Sequence, residues 1–124
     1  MKILITGGTG FLGRHCALKL KSLGHEVSAL GRNTSIGTEL EKRGIRFINV
    51  DLSDAKAVHS ACVNQEKVVH TGALNARFGK YSEFYRANVL GTKHIIDACL
   101  KEGIERLVHL STPSLYFDYK HYFD

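Results

Sequence analysis

Gly7-Gly8-Thr9-Gly10-Phe11-Leu12-Gly13 packs four glycines into seven residues, directly after the apolar run Ile3-Leu4-Ile5 and at the head of an apolar-periodic segment. This order of buried strand, glycine turn and helix start constrains the fold more than any other feature of the chain. Glycine permits the sharp turn, lets a pyrophosphate approach the backbone, and lets the helix pack close to the strand. The helix N-terminus then offers unpaired N–H groups and a partial positive charge to an anion. The run fits Gly-x-x-Gly-x-x-Gly through Gly7, Gly10 and Gly13, and Gly-x-Gly-x-x-Gly through Gly8, Gly10 and Gly13. A glycine pattern alone is weak, but between a strand and a helix it predicts a dinucleotide-binding turn. A glycine-rich turn with no ligand is the alternative.

The remainder alternates between strand and helix patterns. Phe11 to Leu23 carries apolar residues at a helical period, and Gly24 stops it. His25 to Leu30 reads as a short strand, Thr34 to Arg43 as a polar helix closed by Gly44, and Ile45 to Val50 as a strand. Ser53 is the expected N-cap of a helix over Asp54–Asn64. Lys67–His70 reads as a strand, Tyr81–Glu102 as a long helix containing Gly91 and stopped by Gly103, and Arg106–Leu110 as the last strand. Five strands alternating with helices imply right-handed crossovers and a parallel sheet covered on both faces. The expected fold is therefore α/β, a Rossmann-type doubly wound sheet in the order 3-2-1-4-5.

With 124 residues the chain is one domain, long enough to bury roughly two-thirds of its unfolded surface. No apolar stretch approaches membrane-spanning length, and Met1 leads straight into a strand, so a cytoplasmic protein is expected. The net charge of +5 suits a phosphate-bearing ligand, but the basic residues are spread along helices, which argues against nucleic-acid binding. Cys16, Cys62 and Cys99 form no CxxC pair and fall in helical segments, as buried reduced thiols would. The histidines show no metal-ligand spacing, and His70 and His109 read as packing residues at strand ends.

In open α/β sheets, ligands bind at the carboxyl ends of the strands. Gly31-Arg32-Asn33 follows strand two. An acidic residue there would accept hydrogen bonds from an adenosine ribose; Arg32 instead donates to a 2′-phosphate or stacks on adenine, which tilts the choice toward NADP(H) over NAD(H). A solvated loop arginine is the plainer alternative. After strand three, Asp51-Leu52 can bond an adenine amino group and cover its ring, although Asp51 also suits a turn. Thr71-Gly72-Ala73 puts small residues where a cofactor would pass close to backbone. Ser111-Thr112-Pro113-Ser114 places hydroxyls beside the expected nicotinamide.

These segments resemble the N-terminal part of an extended short-chain dehydrogenase/reductase, of the epimerase/dehydratase superfamily. The resemblance rests on Thr6-Gly7-Gly8-Thr9-Gly10-Phe11-Leu12-Gly13, Asp51-Leu52, Val69-His70-Thr71-Gly72-Ala73, Asn88-Val89-Leu90-Gly91-Thr92 and Leu107 through Tyr116, in the right order. It is most similar to the 3β-hydroxysteroid dehydrogenase-related branch, whose bacterial members reduce β-keto groups of steroid-like or long-chain acyl substrates. Sugar-nucleotide epimerases and dehydratases share the same N-terminal pattern. The resemblance implies cofactor contacts at Gly7, Thr9, Gly10, Phe11, Leu12, Gly13, Arg32, Asp51, Leu52, Thr71, Gly72, Ala73 and Asn88, the last steadying the backbone between strands four and five. It also implies a substrate-oxygen ligand at Thr112, with Ser111 second.

The family's Tyr-x-x-x-Lys pair belongs some tens of residues beyond the last strand, on another helix. Tyr116 through Lys120 matches the spacing, yet Tyr116 lies four residues past Thr112 and belongs to the hydroxyl motif itself. The chain therefore reads as the cofactor-binding part of a longer enzyme, inactive alone, lacking strand six and the substrate domain. An open strand-five edge and an aromatic tail at Tyr116, Phe117, Tyr119, Tyr122 and Phe123 would favour self-association or a homo-oligomer. Two function classes follow: an oxidoreductase acting on a small-molecule CH–OH or keto group, or a cofactor-sensing module without catalysis. Thr112 within Ser-Thr-Pro-Ser-Leu-Tyr favours the first, since a sensor has no use for a hydroxyl at the hydride site.

Overall fold

The computed structural model describes residues 1–71 and 89–109. Its elements alternate: β1 (Lys2–Thr6), α1 (Phe11–Ser22), β2 (Glu26–Gly31), α2 (Thr34–Lys42), β3 (Arg46–Asn49), α3 (Ala55–Cys62), β4 (Lys67–His70), α4 (Gly91–Glu102) and β5 (Arg106–His109). All pairings are parallel, in the order β3-β2-β1-β4-β5. This is the doubly wound order expected from the alternation.

The period of two on the strands divides the core into two layers. Leu4, Leu30 and Val68 pack with Val58, Ala61 and Cys62 of α3 and Ile95, Ala98 and Cys99 of α4. On the other face, Ile3, Ile5, Val27 and Ala29 pack with Ala17 of α1, Leu40 of α2 and Ile45. β1 is central, paired with β2 on one side and β4 on the other, so its carboxyl end is held from both flanks.

Element ends differ from the sequence reading in ways with local causes. Asp54, not Ser53, caps α3: its Oδ1 accepts from the Ala57 N–H at 3.1 Å. Ser53 is occupied one step earlier, donating its N–H to Asp51 Oδ1 at 2.9 Å. The helix closes at Cys62 rather than Asn64 because Val63 is extended and Asn64 takes a left-handed φ of 65°. Gly103 ends α4 in the left-handed conformation, as a C-terminal glycine should. The part of the long helix read over 81–88, and Leu110 of the last strand, lie outside the described residues. Cys62 and Cys99 are buried, whereas Cys16 is only half-buried, against the expectation of three buried thiols.

Candidate functional site

The turn between β1 and α1 is fixed on both sides. The Gly8 N–H donates to the Leu30 carbonyl at 2.9 Å, tying the turn to β2. On the other side, the Thr71 N–H donates to Thr6 Oγ1 at 3.0 Å and the Thr71 hydroxyl to the Thr6 carbonyl, tying it to the end of β4. The Gly10 N–H closes the turn onto the Gly7 carbonyl at 3.0 Å.

The glycines of the motif serve different ends. Gly7 has a φ of +64°, and a Cβ there would sit 2.7 Å from the Thr71 backbone. A Cβ on Gly13 would lie 2.0 Å from the Gly7 carbonyl oxygen, so only glycine lets α1 start this close to the strand. Gly10 is different: among the described residues a Cβ would meet only that same carbonyl oxygen, at 3.3 Å. Packing and backbone conformation thus account for Gly7 and Gly13 but ask little of Gly10, which is exposed and stands at the N-cap of α1.

Among the described residues no side chain caps this helix, and its first turn holds no acidic residue. The first-turn N–H groups, at Phe11, Leu12 and Gly13, have no partner within the helix and carry its positive end. Phe11 is exposed, its ring tilted at 43° to that of His15 with centroids 4.5 Å apart, and Leu12 is exposed beside it. Among the described residues these features meet what a diphosphate needs: donors without a partner in the helix, positive potential, and room for close approach at Gly10. Thr9 lies against Gly31, where a Cβ would come within 2.6 Å of the Thr9 hydroxyl, so the turn reaches across the end of β2.

Arg32 and Asp51 meet beyond the ends of β2 and β3. Arg32 Nη1 donates to Asp51 Oδ2 at 3.4 Å, and both side chains are exposed. The Ser53 N–H on the other carboxylate oxygen, opposed by partial burial and aided by Arg32, holds the Asp51 carboxyl below its ordinary value. An exposed pair of this kind adds at most about 1 kcal/mol to stability. Leu52 is half-buried against the layer of α3 and α4, and its carbonyl accepts from His94 Nδ1 at 2.7 Å. Gly72, Ala73, Asn88, Ser111 and Thr112 lie outside the described residues.

Beneath the turn is a polar knot that the sequence reading did not contain. Thr6 and His70, register partners on β1 and β4, bring Thr6 Oγ1 within 2.6 Å of His70 Nδ1. The opposite ring nitrogen, Nε2, pairs with Thr92 Oγ1 of α4 at 2.9 Å. A neutral imidazole has one donor and one acceptor nitrogen, so both are satisfied without a charge. Burial, with the charge of His109 adding to it from a tilted ring whose centroid is 5.0 Å away, pushes His70 down to about 4. His70 is buried as a packing residue would be, but both its ring nitrogens are hydrogen-bonded, and His109, expected to pack as well, is exposed.

Nucleophilic thiol chemistry has no support at the two buried cysteines. Burial pushes Cys62 up to about 12 and also raises Cys99, which favours the inert protonated thiol. No group of three or more metal-ligating side chains occurs among the described residues. Grooves of about 450 and 440 Å³ run between α3 and α4 and between α1 and α2. They lie on the flanks and include none of the residues at the strand ends discussed above.

A model of the NAD dependent epimerase/dehydratase family matches residues 3–122. The chain belongs to the NAD dependent epimerase/dehydratase family. Among curated relatives, it is 44% identical over 115 residues to a 2-alkyl-3-oxoalkanoate reductase of Stenotrophomonas maltophilia (strain K279a), covering 93% of this chain and 34% of the relative. It is 31% identical over 130 residues to 3beta-hydroxysteroid-dehydrogenase/decarboxylase isoform 2 of Arabidopsis thaliana, covering 95% of this chain and 23% of that one. The solved structure of the Bordetella bronchiseptica enzyme WbmG in complex with NAD and UDP superposes with a TM-score of 0.78 at 28% identity, over 88% of this chain and 36% of the other. The chain thus spans about a third or less of the length of these proteins. No helix among the described residues is long and apolar enough to cross a membrane.

Proposed function

We propose that this chain is the cofactor-binding part of an oxidoreductase that reduces a keto group, of β-keto acyl or 3β-hydroxysteroid type, with NADP(H) or NAD(H). The observation that carries the cofactor reading is the N-terminus of α1, which among the described residues has no side-chain cap, no acidic first turn, and an open approach at Gly10. The first-turn N–H groups would hold the pyrophosphate. Arg32 and Asp51 would flank the adenosine, Leu52 would border it, and Thr71, Gly72, Ala73 and Asn88 would line the path toward the nicotinamide. Thr71 would do so through its backbone, because its hydroxyl is engaged by Thr6.

When bound, the nicotinamide gives or accepts the hydride. Thr112, supported by Ser111, would hold the substrate oxygen by hydrogen bonding as its charge develops. The β-keto substrate class draws support from the reductase of S. maltophilia, whose name specifies an oxoalkanoate. A second reading, a nucleotide-sugar epimerase or dehydratase, draws support from the WbmG complex with NAD and UDP.

Calorimetric titration with NADPH and with NADH tests the cofactor half of the proposal. Binding of at least one cofactor is expected, with Arg32→Ala weakening NADPH by about tenfold and NADH by much less, the cost of one charged contact to phosphate. Binding of neither by the unaltered protein would defeat the reading. Equal loss for both cofactors in Arg32→Ala would remove the 2′-phosphate from Arg32.

A further inference from the structure

The loop between β3 and α3 carries Asp51 and Leu52, and its own bonds fold it only upon itself. The Ser53 N–H donates to Asp51 Oδ1 at 2.9 Å, and the Asp54 N–H donates to the Asp51 carbonyl at 2.9 Å. The contact with Arg32 is long, at 3.4 Å, and exposed. A firmer tie comes from α4. His94 Nδ1 lies 2.7 Å from the Leu52 carbonyl, 42 residues away in sequence, in a partly buried contact. A carbonyl oxygen can only accept, so Nδ1 carries the proton and donates it. The helix that supplies this donor is itself held at both ends. Near its start, Thr92 Oγ1 pairs with His70 Nε2 of β4 at 2.9 Å. In its last turn, Glu102 Oε2 meets His59 Nε2 of α3 at 2.8 Å. Between them Ile95, Ala98 and Cys99 are buried in the same layer that Leu52 packs against.

We propose that His94 is a positioning residue, which fixes the Leu52 backbone to α4 and so holds the β3–α3 loop in the arrangement that receives the cofactor. The proposal rests on the cofactor reading given above and adds to it a residue that acts through Leu52 rather than on the cofactor. Support of this kind, from a rigid element to a loop that meets a ligand, keeps the loop ordered before binding. Without the donor, the loop must be ordered by the ligand, and affinity falls by that ordering cost. The loss falls only on ligands that reach the loop. An anion that occupies the N-terminus of α1 alone does not sense it, because that turn is pinned by Leu30 and Thr6 and not by α4.

ADP and inorganic pyrophosphate separate the two ends of the site, since only ADP carries an adenosine. Dissociation constants for both are measured by calorimetry on the unaltered protein, His94→Leu, His94→Phe, His94→Asn and His59→Gln. His94→Leu is expected to weaken ADP about fivefold, the worth of one hydrogen bond, and to leave pyrophosphate unchanged. His94→Phe keeps a ring without the donor and is expected to do the same, so the test survives a folding defect in either variant. The side-chain amide of His94→Asn can donate in place of Nδ1 and is expected to restore ADP binding. His59→Gln loosens α4 only at its far end and is expected to change neither ligand. Unchanged ADP binding in the donorless variants, equal weakening of ADP and pyrophosphate, or the same loss in His59→Gln overturns the role of His94 while leaving the cofactor reading in place. Binding of neither ligand by the unaltered protein overturns both.

Discussion

Gly13→Ala is expected to cost about 3 kcal/mol or more of folding stability, lowering Tm by about 10 °C, whereas Gly10→Ala is expected to cost less than about 1 kcal/mol yet abolish measurable dinucleotide binding. The difference follows from what each new methyl group meets. At Gly13 it would lie 2.0 Å from the Gly7 carbonyl oxygen and 2.7 Å from the Thr71 hydroxyl. The first of these partners is backbone in a turn pinned from both sides, so it cannot yield without loosening the start of α1. At Gly10 the only near neighbour among the described residues is the Gly7 carbonyl oxygen at 3.3 Å, and a shift of a few tenths of an ångström relieves it. The methyl would instead occupy the space through which a diphosphate reaches the helix N–H groups. Thermal melts and cofactor titration of the two variants check this separation. A stable Gly13→Ala, or a Gly10→Ala that binds as before, would show that the roles are misassigned.

The second large effect is a pH dependence of stability centred on His70. In the unfolded chain its imidazole titrates near 6.5; in the fold it is held down to about 4. Between these values the unfolded state binds the extra proton, so stability falls as pH is lowered from about 6.5 and levels out below about 4. The full shift corresponds to about 3 kcal/mol. Asp51, whose carboxyl is also held low, starts to lose its contribution only as pH falls past its ordinary value of 3.8, so the interval above pH 5 belongs to histidine. His70→Gln keeps one donor and one acceptor for Thr6 and Thr92 and removes the proton. Urea unfolding from pH 7.5 to 5 is expected to show a slope in the unaltered protein and a flatter one in His70→Gln. Equal slopes would place the linked proton elsewhere.

The fold was legible because its signals are local and repeated. Ile3-Leu4-Ile5, the glycine turn and the Phe11 helix lie within one short stretch, and each later strand is punctuated by a glycine or a cap residue. The strand order 3-2-1-4-5 then followed from the doubly wound pattern that alternating strands and helices imply. What depends on lateral register was not legible. That Thr6 stands beside His70, or that Gly31 and Asn49 set Arg32 beside Asp51, is decided by how parallel strands slide past each other. Sequence spacing carries no record of that. Close approaches across layers were hidden for the same reason: Gly37 of α2 sits on the Phe47 ring, where a Cβ would come within 2.3 Å. The cap of α3 was misplaced by one residue because Ser53 and Asp54 both suit the position. The Asx turn at Asp51, which takes the Ser53 N–H, passes the cap to Asp54.

A diphosphate cradle at the start of α1 would show itself in the backbone amide resonances of the isotopically labelled protein as NADH is added. The largest shifts are expected at Gly10, Phe11, Leu12 and Gly13, with smaller ones at Arg32 and Asp51 and none along the groove between α3 and α4. Saturable binding that leaves the amides of Gly10 through Gly13 unmoved would contradict it.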